Sequence, residues 1–275
     1  VTRLNWTLIL YPALAVGAIG LLFGLGLGIA NKLFAHQPNE LVLAIRGVLP
    51  SANCGGCGFP GCEGFAEAVA AGEAKTNGCP VGGAKAAEQV AAIMGVEPEI
   101  ERRVAAYVKC GGGESKSNFR YEYQGYNDCR AMALLAGGGS KSCPYGCLGM
   151  GSCVRACMFD ALHYVDGIVQ IDNEKCTACG MCVATCPRSL IEMVPYDHLV
   201  RVACNFPANG KVTRLHCTTG CISCKKCEKV CPENAIHVHD NLAHIDYDKC
   251  TQCGACAEAC PTKVIHIIGK QLEEV

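Results

Sequence analysis

Between Leu8 and Ala30 the chain runs for 23 residues without a charge, and only Tyr11 and Pro12 interrupt the apolar pattern. As a helix this run is about 35 Å long, enough for a hydrocarbon core of about 30 Å. Trp6 and Tyr11 suit one membrane interface and Lys32 closes the other end. The run is long for a cleaved signal peptide, and no small-residue processing site follows it, so a retained single-span anchor is expected. Ala13, Gly17, Gly20, Gly24 and Gly28 place small residues along one helix face, a docking surface for another membrane subunit. Arg3 and Lys32 flank the span almost equally, so charge counting does not orient it. After the span the pattern breaks into short pieces. Glu63–Ala74 and Gly83–Met94 read as helices, the second with an Ala/Val/Ile face. Gly167–Asp172 and Leu242–Asp246 read as short strands, each just ahead of a glycine- and cysteine-rich loop.

Composition explains how so fragmented a pattern can fold. Aromatic residues are 6% of the chain, too few for one large hydrophobic core, but 24 of the 275 residues are cysteine. A disulfide scaffold belongs to short secreted chains, and this chain is too long for one. Metal clusters would act as the cores of several small modules instead. The thiolates must stay reduced until the metal is inserted, which places the cysteine-rich part on the cytoplasmic side. Net charge is −1 and charged residues are 18%, with no basic arm, so nucleic acid is not an expected partner.

The cysteine spacing is the strongest chemical signal. Cys176, Cys179, Cys182 and Cys186, then Cys221, Cys224, Cys227 and Cys231, then Cys250, Cys253, Cys256 and Cys260 each read C-x2-C-x2-C-x3-C-P. In this bacterial ferredoxin spacing three thiolates close on one 4Fe–4S cluster and the fourth ligates its neighbour. Zinc knuckles need paired C-x-x-C motifs but not this longer run. Separately, Cys54, Cys57 and Cys62 lie in N-C-G-G-C-G-F-P-G-C, and Cys79 comes after the helix that follows it. Its glycines permit a tight loop, and the helix would return Cys79 as the fourth ligand.

The C-terminal half repeats at an offset of 74 residues: Cys143, Cys147, Cys153, Cys157, Cys176, Cys179, Cys182 and Cys186 map onto Cys217, Cys221, Cys227, Cys231, Cys250, Cys253, Cys256 and Cys260. Crossed ligation assigns Cys157 to Cys176, Cys179 and Cys182, and Cys231 to Cys250, Cys253 and Cys256. Met150 stands where the second repeat has Cys224. Cys143 is the expected substitute, completing a set with Cys147, Cys153 and Cys186. In the second repeat the expected set is Cys221, Cys224, Cys227 and Cys260, the alternative replacing Cys224 with Cys217. Five 4Fe–4S clusters then leave Cys110, Cys129, Cys204 and Cys217 as buried thiols, with a sixth cluster as the alternative. Cys129 precedes Cys143 by fourteen residues and Cys204 precedes Cys217 by thirteen, so the two look like equivalent features of the repeats.

The expected fold is α+β: a transmembrane anchor (1–33), a small helical four-cysteine domain (34–100), a connecting segment (101–140) and two tandem ferredoxin modules (141–205 and 206–275). In this order of parts the chain resembles the B subunit of the Rnf complex, the membrane ion-translocating ferredoxin–NAD oxidoreductase. The resemblance implies an electron wire, with soluble ferredoxin as donor and with membrane and flavoprotein subunits as partners that couple electron flow to sodium or proton transport. The chain itself would carry electrons only. Gly24-Leu-Gly-Leu-Gly28 lies within the span and follows no strand, so it is not a dinucleotide loop. Lys225, Lys226 and Lys229, beside Cys224 and Cys227, are either a docking face for an acidic ferredoxin or a plain solvated face. A membrane-tethered ferredoxin serving another reductase, without ion pumping, is the rival function.

Overall fold

A computed structural model describes residues 6–34, 39–99 and 101–268. The flanking cation Arg3 lies outside them. The chain divides into two units, Val1–Leu43 and Ala44–Val275. The first contains helix α1 (Trp6–Phe34), whose segment Ala13–Leu33 is long and apolar enough to cross a membrane. Among its described side chains the leucines, Leu14, Leu22 and Leu27 among them, are exposed, and its glycines meet nothing within 4 Å. An unpartnered helix this apolar is stable only where lipid or other helices cover it. Helix α2 (Glu40–Val48) follows in the chain.

In the second unit the two sequence-predicted helices form. Helix α3 (Gly61–Ala70) ends earlier than the apolar pattern suggests, because Gly72 turns left-handed at φ +76° and the Glu73 N–H closes back on the Ala68 carbonyl. Helix α4 (Gly83–Met94) ends in the same way at Gly95.

Each ferredoxin repeat is made of two small antiparallel pairs. In the first repeat β1 (Val104–Val108) pairs with β4 (Ile191–Pro195), and β2 (Leu162–Val165) with β3 (Ile168–Ile171). In the second, β5 (Val200–Val202) pairs with β8 (Ile265–Ile267), and β6 (Ile236–His239) with β7 (Leu242–Ile245). The inner hairpins turn through two left-handed residues, Asp166–Gly167 and Asp240–Asn241, as type I′ turns require. Both strand predictions hold.

The outer strands sit differently from the sequence boundaries. The segment expected to be a connector (101–140) supplies β1, and β5 comes from the segment expected to close the first module. Five-residue and three-residue strands carry too little pattern to be seen alone, and only their pairing with β4 and β8 gives them away. Between β1 and the first cysteine loop, repeat one carries extra chain that includes the short helix α5 (Cys129–Ala133). The cores are small and largely sulfur: in the first repeat Cys153, Cys176 and Cys182 are buried with Ala105, Leu162 and Ile191, and in the second Cys221, Cys227, Cys256 and Cys260 with Val200, Ile236 and Val264.

Candidate metal centres

The first four-cysteine motif closes on itself. Gly55, Gly58 and Gly61 hold positive φ, and the Asn53 carboxamide oxygen accepts from the Cys62 N–H at 2.9 Å, tying the loop to the start of α3. Phe65, 1% exposed, floors the site. Cys54, Cys57, Cys62 and Cys79 all line one cavity of about 300 Å³. Burial raises the pKa of Cys79, and the thiols of Cys62, Cys57 and Cys54 push it the same way.

The ferredoxin loops share a backbone signature. Residues two and four after the leading cysteine are left-handed in every one: Gly149 and Gly151, Ala178 and Gly180, Ser223 and Lys225, Gln252 and Gly254. This curl turns successive thiols inward. Cys221, Cys224, Cys227 and Cys260 line one cavity of about 310 Å³, and Cys231, Cys250, Cys253 and Cys256 another of about 340 Å³. Cys157, Cys176, Cys179 and Cys182 converge in the same way: burial pushes Cys182 up to about 12, with Cys176, Cys179 and Cys157 reinforcing it. Backbone N–H groups donate to several sulfurs, as from Ala106 to Cys176 at 3.5 Å and from Ala235 to Cys231 at 3.3 Å.

One grouping departs from the sequence reading. Cys147, Cys153 and Cys186 line a cavity of about 420 Å³ with Cys129, and Cys143 is not among its lining residues. The loop 147–153 keeps the shared curl, but Met150 packs against the small core of Cys129, Met132 and Leu148. Asp128 caps α5, its carboxylate accepting from Arg130 and Ala131 N–H at 2.9 Å each. The other Asp128 oxygen accepts from the Ser152 hydroxyl at 3.0 Å, and that hydroxyl in turn accepts from the Cys129 N–H at 2.8 Å. Cys129 is thus fixed against helix α6 (Ser152–Ala156), which carries Cys153. Burial pushes Cys153 up to about 12, and Cys147 and Cys129 add to it. The local signal was an Asx cap immediately before a cysteine, which the repeat arithmetic passed over.

Cys143 lines a different cavity, of about 410 Å³, with Cys110, Cys204 and Cys217. Three of the four cysteines left over by the spacing therefore meet there. Cys110 follows β1 and Cys204 follows β5 at equivalent places, while Cys143 and Cys217 keep the 74-residue offset. Cys204 matches Cys110, then, and Cys129 has no counterpart in repeat two. The site draws one pair of thiols from each repeat. Gly112 is needed there, since a Cβ would lie 3.0 Å from Cys217 Sγ and 2.7 Å from the Ser117 hydroxyl. Burial pushes Cys204 up to about 11 despite N–H groups of Cys221 and Phe206 that favour its thiolate.

All 24 cysteines thus fall into six groups of four. The groups are neighbours in one order. Cys54 acts on Cys179, and Gly56 abuts the Cys179 carbonyl. Cys182 acts on Cys153, and the Cys147 N–H donates to Cys110 Sγ at 3.3 Å. Cys221 acts on Cys204, and Cys227 on Cys256.

The donor chemistry fits iron–sulfur clusters. Four thiols line each of five cavities, and a donor set of thiolate alone suits a four-iron cluster. Thiolates gathered at one cavity need a cationic metal centre between them to offset their charge.

Comparison with known proteins agrees. An Fe–S cluster family matches residues 49–81, and 4Fe–4S dicluster domain families match 140–187, 175–236 and 220–264. Cys110 and Cys129 lie outside all four matches. The B subunit of the Na(+)-translocating ferredoxin:NAD(+) oxidoreductase complex of Acetobacterium woodii is 47% identical over 88% of this chain and 73% of its own length. The chain belongs to the family of Rnf complex B subunits. The B subunit of the ion-translocating oxidoreductase complex of Methanosarcina acetivorans is 42% identical over 88% of this chain and 92% of its own. Its counterpart in the proton-translocating ferredoxin:NAD(+) oxidoreductase complex of Clostridium ljungdahlii is 45% identical over 84% and 82%. Relatives this similar carry names with different ions, so overall likeness does not identify the ion. Family membership, several 4Fe–4S domains and a candidate membrane helix together make this a multi-cluster iron–sulfur protein with a membrane association.

Proposed function

We propose that this chain is a membrane-anchored electron relay of an ion-translocating ferredoxin:NAD oxidoreductase complex, carrying six 4Fe–4S clusters in series. The observation that supports the reading most is the sorting of every cysteine into six neighbouring groups of four. A 4Fe–4S cluster in each group would supply one-electron transfer. The chain's own part is to hold, space and shield these groups. Tunnelling falls steeply with distance, so a continuous line of neighbouring groups matters more than any one of them.

The ligand sets are Cys54, Cys57, Cys62 and Cys79; Cys157, Cys176, Cys179 and Cys182; Cys129, Cys147, Cys153 and Cys186; Cys110, Cys143, Cys204 and Cys217; Cys221, Cys224, Cys227 and Cys260; and Cys231, Cys250, Cys253 and Cys256. With all positions taken by thiolate, no iron is open to a substrate, and the chain has no bond-making role of its own. The second repeat is the uptake end. Cys224 and Cys253 are exposed there, and exposed Lys225, Lys226 and Lys229 offer charge to an acidic soluble ferredoxin. The Cys54 group, nearest the membrane span in sequence, is the delivery end toward membrane and flavoprotein partners, with the cysteine-rich part on the cytoplasmic face.

The test is iron and sulfide analysis of the full chain purified anaerobically, followed by reduction with catalytic soluble ferredoxin. About 24 irons per chain, all reducible by ferredoxin, are expected. About 20 irons removes the six-group reading. Full iron content without reduction by ferredoxin favours a tethered carrier for another reductase.

A further inference from the structure

Two positively charged side chains stand between the Cys147 group and the Cys110 group. Lys141 is 3% exposed and lines the Cys110 cavity. Its ammonium donates to the carbonyls of Gly112 at 3.0 Å and Gly167 at 3.2 Å, and it acts on Cys147 of the other group. Half-buried Arg188 lines the Cys147 cavity instead. Its guanidinium donates to the carbonyls of Cys143, Gly146 and Gly138, and it lies within reach of Cys143, Cys147, Cys110 and Cys186. Each cation therefore lines one cavity and faces cysteines of the other.

Neither cation has a carboxylate partner among the described residues. Asp166 feels the charge of Lys141 but makes no ion pair with it, and its oxygens accept from the Ser115 hydroxyl at 2.6 Å and the Ser115 N–H at 3.0 Å. A third cation at the Cys110 cavity, Lys109, is neutralised by Glu192 at 3.0 Å. A buried, unpaired cation is costly, and it persists where a compensating negative charge stands close by. Four thiolates on a cluster leave a net negative group, made more negative by each added electron.

The second repeat is an internal control. At the 74-residue offset Lys141 becomes Leu215, 66% exposed, and Arg188 becomes Thr262, which lines the Cys221 cavity as Arg188 lines its own. The Cys221 cavity is lined by one cation, Lys225, which is exposed to solvent, so the buried Lys141 and half-buried Arg188 have no counterpart in repeat two.

We propose that Lys141 and Arg188 are positioning charges that hold the reduced forms of the two central clusters, making the Cys147 and Cys110 groups the highest-potential stations of the relay. Electrons taken up at the second repeat then collect at the centre of the line before leaving. The inference rests on clusters occupying those two groups. It is separable from that reading, because iron content reports occupancy and midpoint potential reports the charge effect.

The experiment is an EPR-monitored redox titration of the full chain carrying Lys141→Met, Arg188→Gln or Arg188→Lys. With iron content unchanged, Lys141→Met and Arg188→Gln each move the midpoints of the two highest-potential signals to lower values. The expected change is about a tenfold loss in the equilibrium share of electrons they hold, ~59 mV for a one-electron couple. Arg188→Lys keeps the charge and restores most of the shift. Unchanged midpoints at full iron content overturn the proposal, and so does an Arg188→Lys protein indistinguishable from Arg188→Gln. If Lys141→Met fails to retain iron, the two Arg188 variants decide the matter alone.

Discussion

The two C-terminal repeats share strand pairing, hairpin turns and loop curl, yet they gather equivalent groups of four thiols by different routes. Repeat two takes Cys224 from within its loop. Repeat one has Met150 there and brings Cys129 from an inserted helix anchored by Asp128 and Ser152. The curl survives the substitution because it depends on left-handed backbone at Gly149 and Gly151, which the residue between them does not control. A thiol position is thus a place in space that any nearby segment can serve. The freed loop position became packing for Met132 and Leu148.

The sharpest way to break the comparison is to remove the proposed substitute ligand. Cys129→Ser should cost about four irons per chain and the visible absorption that goes with them, read by iron analysis. Adding Met150→Cys to that variant should return the iron by giving repeat one the loop of repeat two. Failure to return it would mean that the loops differ in more than one side chain. Cys110→Ser, at the site the repeats build jointly, should also cost about four irons, and rapid-mixing reduction should stall between the modules. If the first module is still reduced at the same rate, the line does not run through that site.

A smaller effect concerns packing under the insert. Met132 is 0% exposed, and Met132→Ala should destabilise repeat one by about 2–5 kcal/mol, measured as a lower denaturation midpoint. Next comes a transplant of charge. Thr262→Arg should raise the midpoint of the Cys221 cluster toward that of its counterpart, and an unmoved midpoint would show that a cation at that position does not act alone.

The smallest effect is a pH dependence. The Ala131 N–H first, then the Ser152 hydroxyl, hold the Asp128 carboxyl below the usual carboxylate range. Its contribution to anchoring the insert is therefore complete above an ordinary Asp pKa of about 4 and is lost as pH falls through the lower folded value. Asp128→Asn should flatten that acid limb in protection of the Cys129 amide from hydrogen exchange.

Much of this was legible in the chain because so much of it is local. The Leu8–Ala30 run, α4, the inner hairpins and the grouping of thiols inside each C-x2-C loop are fixed by neighbours a few residues away, and spacing reports them directly. The grouping of Cys157 with the Cys176 loop and of Cys231 with the Cys250 loop was also readable, since a short helix returns each at a fixed distance. Tertiary structure alone decided where Cys129, Cys143, Cys110 and Cys204 belong. Cys110 and Cys204 lie 94 residues apart, off the 74-residue offset, because repeat one carries twenty extra residues between Cys110 and Cys143. An insertion of that kind erases equivalence along the sequence but leaves it intact in the strands. The partners of β1 and β5, and with them the joint site between the repeats, are set by long-range pairing that no window of sequence contains.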